Sequence, residues 1–257
     1  MRETTWLQIV VILAAGLVAG FVNALAGGGS FLTLVALEFA GLPASMANGT
    51  NRVAVLVQNV AAVLGFKSKG LSDFKLSLQL GLPAFLGSIV GAYVVIDLPT
   101  AIFHRILAAA MLVMLVTLVL DPKKLLHKRP RRMTPARRWL GYLVFFAVGF
   151  YGGAIQAGVG FFLIAALVFF AGLDLVRTNS HKVFIIGLFT LFALLMFVLR
   201  GQVHWVLGLV LSAGNAAGAW IASRLAVEKG EKLVKIVLGV MLTVVSLQYL
   251  GVLPGVG

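Results

Sequence analysis

Two glycine-containing breaks interrupt apolar sequence that is long enough to cross a membrane. The first is Asn23-Ala-Leu-Ala-Gly-Gly-Gly-Ser30, and Gln156-Ala-Gly-Val-Gly-Phe161 follows at a shift of 131 residues. In a bilayer, backbone that leaves helical geometry needs hydrogen-bond partners that lipid does not supply, so such breaks lie in protein-lined or water-filled surroundings. A duplicated break of this kind is typical of transporters whose binding site is built from both halves of the chain.

Composition independently indicates an integral membrane protein. Of the 257 residues, 61% are hydrophobic and only 11% are charged, unlike an ordinary soluble domain. The net charge of +13 is concentrated in the loop 121–138, which holds eight basic residues and one Asp. Such charge near span ends sets membrane orientation, so we expect the lipid bilayer and no nucleic acid as a partner. The absence of cysteine and the scattered histidines predict no metal site and no cofactor.

Apolar runs between charges and turn residues predict ten segments, five in each half. They cover residues 6–26, 30–40, 50–66, 76–96, 101–120, 139–157, 161–171, 181–199, 203–225 and 233–250. The second segment of each half has about 11 residues, roughly 17 Å of helix, which is too short to cross a hydrocarbon core of about 30 Å. A cleaved signal peptide is the alternative for the first segment. We predict an all-α integral membrane protein with about 8–10 transmembrane segments, including short half-helices after the glycine breaks.

The two halves align without a gap at the same shift of 131 residues. Gly27 matches Gly158, and Asn48 matches Asn179. We predict a first repeat over residues 1–120, the basic loop 121–138 and a second repeat over 139–257. A cytoplasmic loop would place all but four of the 21 basic residues on the cytoplasmic side. That count favours an odd number of crossings per half and therefore inverted repeats, with parallel repeats as the alternative.

A helix restarts after each glycine break. Its first N–H groups have no intrahelical partner and carry roughly half a positive charge, which suits an anion. Glycine allows a ligand to approach the backbone closely, and Ser30 adds a hydroxyl donor. The alternative is that the glycines only let helices cross tightly.

A second duplicated pattern follows each break and predicts two further helix starts, Ala47-Asn-Gly-Thr-Asn-Arg52 and Arg177-Thr-Asn-Ser-His-Lys182. Asn, Ser and Thr cap helix N-termini well. A cation just inside a helix start is unfavourable unless an anion joins it, so Arg52 and Lys182 are candidate anion ligands. Snorkelling towards the membrane surface is the alternative for both. Asn51 and Gln58 share a polar sector that predicts contact with the interior, either for a ligand or for helix packing.

These patterns define one predicted substrate site and two coupling candidates. The predicted substrate-binding residues are Gly28, Gly29, Ser30, Asn48, Asn51, Arg52, Gln58, Gln156, Gly158, Gly160, Asn179, His181 and Lys182. Glu38 lies deep in an apolar segment and Asp174 lies at a segment end, so either is a candidate for carrying a coupling proton; an interfacial position is the alternative.

The motifs around the breaks resemble the sulfite exporter TauE/SafE family of membrane permeases. Ala26-Gly-Gly-Gly-Ser-Phe-Leu, followed by Gly41-Leu-Pro and Ala47-Asn-Gly-Thr-Asn, is similar to the first family motif. The run from Gly149 to Phe161 and Asp174-Leu-Val-Arg-Thr-Asn-Ser-His-Lys is similar to the second. Val35 stands where many members have a proline. The resemblance covers essentially the whole chain and implies transport of small sulfur-containing anions, such as sulfite or organosulfonates, across a bacterial inner membrane, with export commonly proposed.

Residues and resemblance together predict a secondary transporter that moves such anions by alternating access, with H+ or Na+ considered as coupling ion. A small-anion channel and a non-transporting membrane scaffold or assembly factor are the alternatives. We do not expect an enzyme, because no nucleophile has a base placed beside it by the sequence. We expect a multi-pass protein of the inner membrane with its basic loop in the cytoplasm, and we also consider a homodimer.

Overall fold

The structure is a computed structural model that describes residues 6–71, 74–96, 98–119 and 135–249. These residues contain α-helices and no β-strand. The first half forms α1 (Trp6–Leu25), α2 (Gly29–Phe39), α3 (Ala44–Lys67), α4 (Phe74–Val95) and α5 (Thr100–Val119). The second half forms α6 (Pro135–Ala154), α7 (Val159–Ala171), α8 (Leu175–Leu199), α9 (Trp205–Lys229) and α10 (Glu231–Tyr249). Each predicted segment corresponds to one of these helices. Residues 121–134 of the predicted loop lie outside the described residues, and 135–138 belong to α6.

Helix lengths and surfaces fit a multi-pass membrane protein. Within the described residues, four helices are long and apolar enough to cross a membrane, namely Trp6–Leu25, Lys75–Val95, Leu175–Leu199 and Trp205–Lys229. Large apolar side chains remain exposed on their outer faces; Leu7 is 71% and Leu209 is 60% exposed. Such exposed apolar faces are suited to contact with lipid. The helices after the breaks have only 11 and 13 residues, which confirms the predicted half-helices.

The predicted helix starts near residues 50 and 181 are wrong. Helix α3 begins at Ala44 with Pro43 as its N-cap residue, and α8 begins at Leu175 with Asp174 as its N-cap. Proline has a backbone φ suited to a helix entry, and the Asp174 side chain accepts a hydrogen bond from the Arg177 N–H. Both helices therefore start about two turns earlier than predicted. The polar pattern that suggested capping lies inside them.

Glycines allow helices of the two halves to pack closely. Helix α1 packs against α9, where a Cβ atom added to Gly218 would meet the Leu17 carbonyl oxygen. Helix α4 packs against α6, where a Cβ atom added to Gly87 would meet the Phe146 carbonyl oxygen. Gly87 and Gly218 are partners in the 131-residue alignment of the halves. Because glycine has no side chain, the backbones of the two helices come into contact at these crossings.

The packing pattern is the same when the two halves are exchanged. The pair α1 and α9 is equivalent to the pair α6 and α4, and α3 packs on α9 as α8 packs on α4. Helices α3 and α8 also pack against each other. Helices α1, α3 and α9 therefore form one bundle, and α4, α6 and α8 form a second. Each of these mixed bundles contains helices from both halves of the chain.

Candidate functional site

Each glycine break ends one helix and starts the next within a few residues. Gly28 precedes α2 with φ 93°, and Gly158 precedes α7 with φ 77°. These are left-handed conformations that glycine adopts without a steric penalty. The chain therefore turns sharply at both positions, and the N-terminal ends of α2 and α7 are directed into the protein interior.

The two breaks touch each other. A Cβ atom added to Gly27 would lie 2.7 Å from the Gly160 Cα atom, and one added to Gly29 would collide with the Ala19 carbonyl oxygen. Gly27, Gly29 and Gly160 thus serve the close packing that we considered as an alternative. Gly28 and Gly158, together with Gly160, also line a small cavity between the breaks. The glycines of the breaks therefore have two roles: they allow close packing, and they line the cavity.

Polar and apolar groups share the wall of this cavity. Its polar side chains are Asn23, Ser30, Gln58 and Gln156, and Val55, Val159 and Ile186 supply apolar walls. Each of the four polar residues is at most 8% exposed. Among the described residues that line the cavity, none is acidic. Neutral hydrogen-bonding groups and two helix N-termini therefore face the same small space, which is suited to a small anion.

A network of amides orients Gln58. Asn23 Nδ2 donates to Ser30 Oγ at 3.2 Å and to Gln58 Oε1 at 3.1 Å, and Asn215 Nδ2 donates to the same Oε1 at 3.2 Å. Because Gln58 Oε1 already accepts two hydrogen bonds, the Nε2 group is the part of this amide that remains available to a ligand. Amide N–H groups donate hydrogen bonds. The network therefore favours a ligand that accepts them.

Gln156 is the non-glycine residue with positive φ in the described part of the chain, at φ 66°. Its Nε2 donates to Thr190 Oγ1 at 2.7 Å, and its Oε1 has no hydrogen-bond partner among the described residues. The side chain is 2% exposed and lines the cavity. A strained backbone that holds an unpaired polar group at a cavity is a pattern found at binding sites. Because the Thr190 hydroxyl can donate as well as accept, the Gln156 amide can present either end to a ligand.

Arg52 lies against the end of the helix that precedes the second break. Its guanidinium donates to the carbonyl oxygens of Gly152, Gly153 and Ala154 at 3.2, 2.6 and 3.0 Å, and it stacks 4.6 Å from the Phe197 ring centre. Asn48 Nδ2, one helical turn earlier, donates to the Ala154 carbonyl at 2.8 Å. Arg52 and Asn48 of the first half therefore cap the C-terminus of α6 in the second half.

The reciprocal contact is made by Lys182. Its Nζ donates to the Ala24 carbonyl oxygen at 3.2 Å and to Asn179 Oδ1 at 2.6 Å, and Asn179 Nδ2 donates to the Leu25 carbonyl at 2.7 Å. Lys182 and Asn179 of the second half thus cap the C-terminus of α1 in the first half. Arg52 and Lys182 are both 0% exposed, so the snorkelling alternative is wrong. Neither residue therefore counts among the basic residues that set the orientation in the membrane. Neither residue is among those that line the cavity.

Two other predicted site residues lie in the interior, away from the cavity wall. Asn51 Oδ1 accepts a hydrogen bond from Thr33 Oγ1 at 2.7 Å, which joins α3 to α2. His181 Nδ1 lies 2.7 Å from Ser77 Oγ, which joins α8 to α4. These contacts hold helices that carry the cavity.

The coupling candidates lie towards the protein surface. Glu38 Oε1 is 3.2 Å from His104 Nε2, and the Glu38 side chain is 21% exposed. Asp174 is 45% exposed, caps α8 and lies 3.5 Å from Arg177 Nε. Neither carboxylate lines the cavity.

Three polar residues of the network were not predicted: Asn23, Thr190 and Asn215. Asn23 opens the first glycine motif, and Asn215 is a lone amide within the apolar helix α9. A polar side chain in an otherwise apolar span usually faces the interior. That pattern predicts that Asn215 faces the interior. Its hydrogen-bond partner Gln58 is not predictable from local sequence, because the two residues are 157 positions apart.

The fold and the cavity define an α-helical, multi-pass membrane protein with an internal polar site between two broken helices. The sequence model of the family described as "Sulfite exporter TauE/SafE" matches residues 12–249. The chain belongs to this family. The predicted family membership is therefore confirmed.

Curated relatives carry consistent names. "Probable membrane transporter protein YfcA" of Escherichia coli (strain K12) is 30% identical over 247 residues, 95% of this chain and 90% of the relative. "Probable membrane transporter protein" of Haemophilus influenzae is 29% identical, over 88% of each chain. "Probable membrane transporter protein YunE" of Bacillus subtilis (strain 168) is 23% identical over 85% of this chain and 87% of the relative. These proteins are named as transporters and not as enzymes. No solved structure matches the chain significantly.

Proposed function

We propose that the protein is a secondary transporter that moves small sulfur-containing anions, such as sulfite or sulfonates, across the bacterial inner membrane. The observation that carries this proposal is the meeting of both glycine breaks at one cavity, where the strained Gln156 presents an unpaired amide oxygen or, after turning over, its NH2 group. A binding site formed by two interrupted helices near the membrane centre is typical of carriers.

The charge of the site supports an anion. In the first turn of α2 the Phe31 N–H donates to the Gly28 carbonyl, and in that of α7 the Val159 and Phe161 N–H groups donate to the Gln156 and Gly158 carbonyls. Among the described residues, the N–H groups of Gly29, Ser30 and Gly160 make no such turn hydrogen bond and are the backbone donors left for a ligand. Each helix start carries roughly half a positive charge. The Ser30 hydroxyl, Gln58 Nε2 and a turned Gln156 amide add neutral donors. An oxyanion accepts several such hydrogen bonds at once, so the small pyramidal or tetrahedral head group of sulfite or a sulfonate matches this donor set.

The packing supports a particular form of alternating access. We infer that the repeats are inverted, because an odd number of crossings per half accounts best for the basic residues. The bundles α1, α3, α9 and α4, α6, α8 each contain helices of both repeats. We propose that these mixed bundles, rather than the repeats themselves, rock about the contact between α3 and α8. The cavity would then open to one side of the membrane at a time, with the basic loop in the cytoplasm and H+ or Na+ as coupling ion.

Flux in proteoliposomes tests the function. Purified protein is reconstituted and supplied with sulfite, thiosulfate, sulfoacetate, sulfate or chloride, with and without a pH or sodium gradient. We expect saturable uptake of at least one sulfur anion and counterflow driven by unlabelled anion. Protein-free liposomes and the Gln156→Leu variant are the controls, and the variant should lose uptake.

Each alternative has its own result. Large, non-saturating currents without counterflow would indicate a channel. No flux of any of these anions would contradict the transport proposal and favour a non-transporting role in the membrane.

A further inference from the structure

At each glycine break a negative helix end lies next to a positive one. Helix α1 ends at Leu25 and α2 begins at Gly29, and α6 ends at Ala154 and α7 begins at Val159. A helix carries roughly half a negative charge at its C-terminus and half a positive charge at its N-terminus. A ligand beside such a break is therefore attracted by one end and repelled by the other, and the two effects largely offset each other.

In the described part of the chain, Arg52 and Lys182 are the buried cations, and both lie at negative helix ends. Lys182 Nζ contacts the Ala24 carbonyl at the end of α1, and Arg52 contacts three carbonyls at the end of α6. A full positive charge exceeds the partial negative charge of a helix C-terminus. With the cations in place, both helix ends at each break become favourable to an anion.

Hydrogen bonding alone does not require a charge at these positions. The neighbouring carbonyls of Leu25 and Ala154 are capped by the neutral amides of Asn179 and Asn48, so a neutral donor can serve as a cap at these helix ends. The cations bond the further carbonyls of Ala24, Gly152 and Gly153, where a neutral donor could also satisfy the hydrogen bond. Burying a cation is unfavourable unless its charge is balanced. The same combination of an amide and a cation occurs at both breaks, each donated by the opposite repeat. This repetition points to a role for the charge itself.

We infer that Arg52 and Lys182 are positioning residues that set the electrostatic potential of the anion site through the two helix C-termini, without touching the anion. This inference rests on the proposed function and deepens it. Each repeat supplies the cation that makes the break of the other repeat attractive to an anion. The site therefore reaches its full affinity only when both repeats are packed together.

Lys182 provides the sharper test, because it makes one bond to a carbonyl where Arg52 makes three. The variants Lys182→Met and Lys182→Arg are compared with the wild type, and Lys235→Met is the matched control. Lys235 is 54% exposed and pairs with Glu231 on the surface. Binding of methanesulfonate, a monoanion, and sulfate, a dianion, to purified protein is measured by calorimetry and as inhibition of transport.

A through-space charge effect scales with the charge of the ligand. Because Coulomb energy is proportional to ligand charge, the logarithm of the affinity loss for sulfate should be twice that for methanesulfonate. For Lys182→Met we expect losses of roughly tenfold for methanesulfonate and roughly a hundredfold for sulfate. Lys182→Arg and Lys235→Met should stay within about threefold of the wild type for both ligands.

Equal losses for the two anions in Lys182→Met would mean that Lys182 only supports the fold, and would overturn the inference. A loss in Lys182→Arg as large as in Lys182→Met would overturn it too. If Lys182→Met does not fold, Lys182→Gln replaces it, since glutamine retains an N–H donor for the Ala24 carbonyl without the charge. For Lys182→Gln too, the logarithm of the affinity loss for sulfate should be twice that for methanesulfonate.

An introduced cysteine thiol at the cavity reports the electrostatic potential there without any bound ligand. The chain contains no cysteine, so Ser30→Cys introduces a single reporter beside the first break. The pH midpoint of its alkylation by a small neutral reagent should rise by roughly one unit when Lys182→Met is added, because thiolate formation loses a nearby positive charge. An unchanged midpoint would overturn the inference. Failure of the wild type to bind any anion would contradict the proposed function alone, and the thiol measurement would still decide the role of Lys182.

Discussion

Gly27 and Gly160, one from each break, lie so close that a Cβ atom on Gly27 would come within 2.7 Å of the Gly160 Cα atom. This contact joins the two halves of the chain at the wall of the cavity. A side chain at either position would separate the two helix N-termini that we propose to share an anion. The same small-residue packing that closes the fold therefore also sets the geometry of the site.

Replacing Gly160 by alanine should separate the breaks. The three atoms nearest to its added Cβ all belong to backbone, and the Gly27 Cα atom would lie at 2.7 Å. We expect the free energy of unfolding in detergent to fall by about 1–3 kcal/mol and anion flux to be lost. Gly208→Ala is the control, because its Cβ would lie 3.4 Å from Val53 within a helix that favours alanine. Normal stability and flux in Gly160→Ala would contradict the close contact.

The Gln156→Gly variant should separate stability from binding. Glycine relieves the positive φ of this position, a gain of about 1 kcal/mol, while the lost hydrogen bond to Thr190 removes about as much. We expect the free energy of unfolding to stay within about 1 kcal/mol of the wild type. Sulfite affinity, measured by calorimetry, should fall at least about tenfold, the equivalent of one lost hydrogen bond to a charged ligand. Unchanged affinity would remove Gln156 from the site.

Arg52→Met should destabilise the protein strongly. It leaves the carbonyl oxygens of Gly152 and Gly153 without the guanidinium donor that they now share. Unsatisfied buried acceptors predict a loss of about 2–4 kcal/mol in the free energy of unfolding, and Arg52→Lys should recover about half of it. Arg224→Met is the control: Arg224 stacks on Trp220, and its loss should reduce stability by less than about 1 kcal/mol. Wild-type stability of Arg52→Met would show that these carbonyls find other partners.

Asp174→Ala should act on helix α8 and leave coupling intact. The carboxylate caps α8 through the Arg177 N–H at 2.9 Å. Its removal should lower the free energy of unfolding by about 1 kcal/mol, whereas Asp174→Asn should retain most of the cap. Flux driven by a pH gradient should be the same in both variants as in the wild type. Loss of the pH-driven component at normal stability would instead make Asp174 the coupling residue.

Several features of this fold follow from local sequence. Apolar runs predicted the ten helices of the described residues, eight from longer runs and two from short runs that follow the glycine breaks, because a bilayer requires each segment within it to satisfy its own backbone. The glycines at positions 28 and 158 predicted the two breaks, because few other residues adopt a left-handed backbone without strain. Gln58 and Gln156, which the sequence predicts as substrate ligands, line the cavity, since amides in apolar sequence are directed to the interior; their contact with a substrate stays a prediction.

Helix boundaries showed where local reasoning fails. The Asn- and Thr-rich stretches at 47–52 and 177–182 matched the pattern of helix caps, but α3 and α8 had already begun at Ala44 and Leu175. In a helix interior such residues usually compete with the backbone. Here Asn48 and Asn179 instead bond to carbonyls 106 and 154 positions away, which local propensity does not register.

The sequence by itself determined the membrane class, the helices of the described residues, the two breaks and the family, because each depends on residues that are close together in the chain. Only the tertiary structure decided what the buried cations do. Arg52 and Lys182 contact carbonyls that are 100 and 158 positions away, so their partners are set by how the two halves pack. Local sequence predicts both as ligands of an anion, whereas the packing of the two halves places them at the negative ends of the two helices that lead into the site.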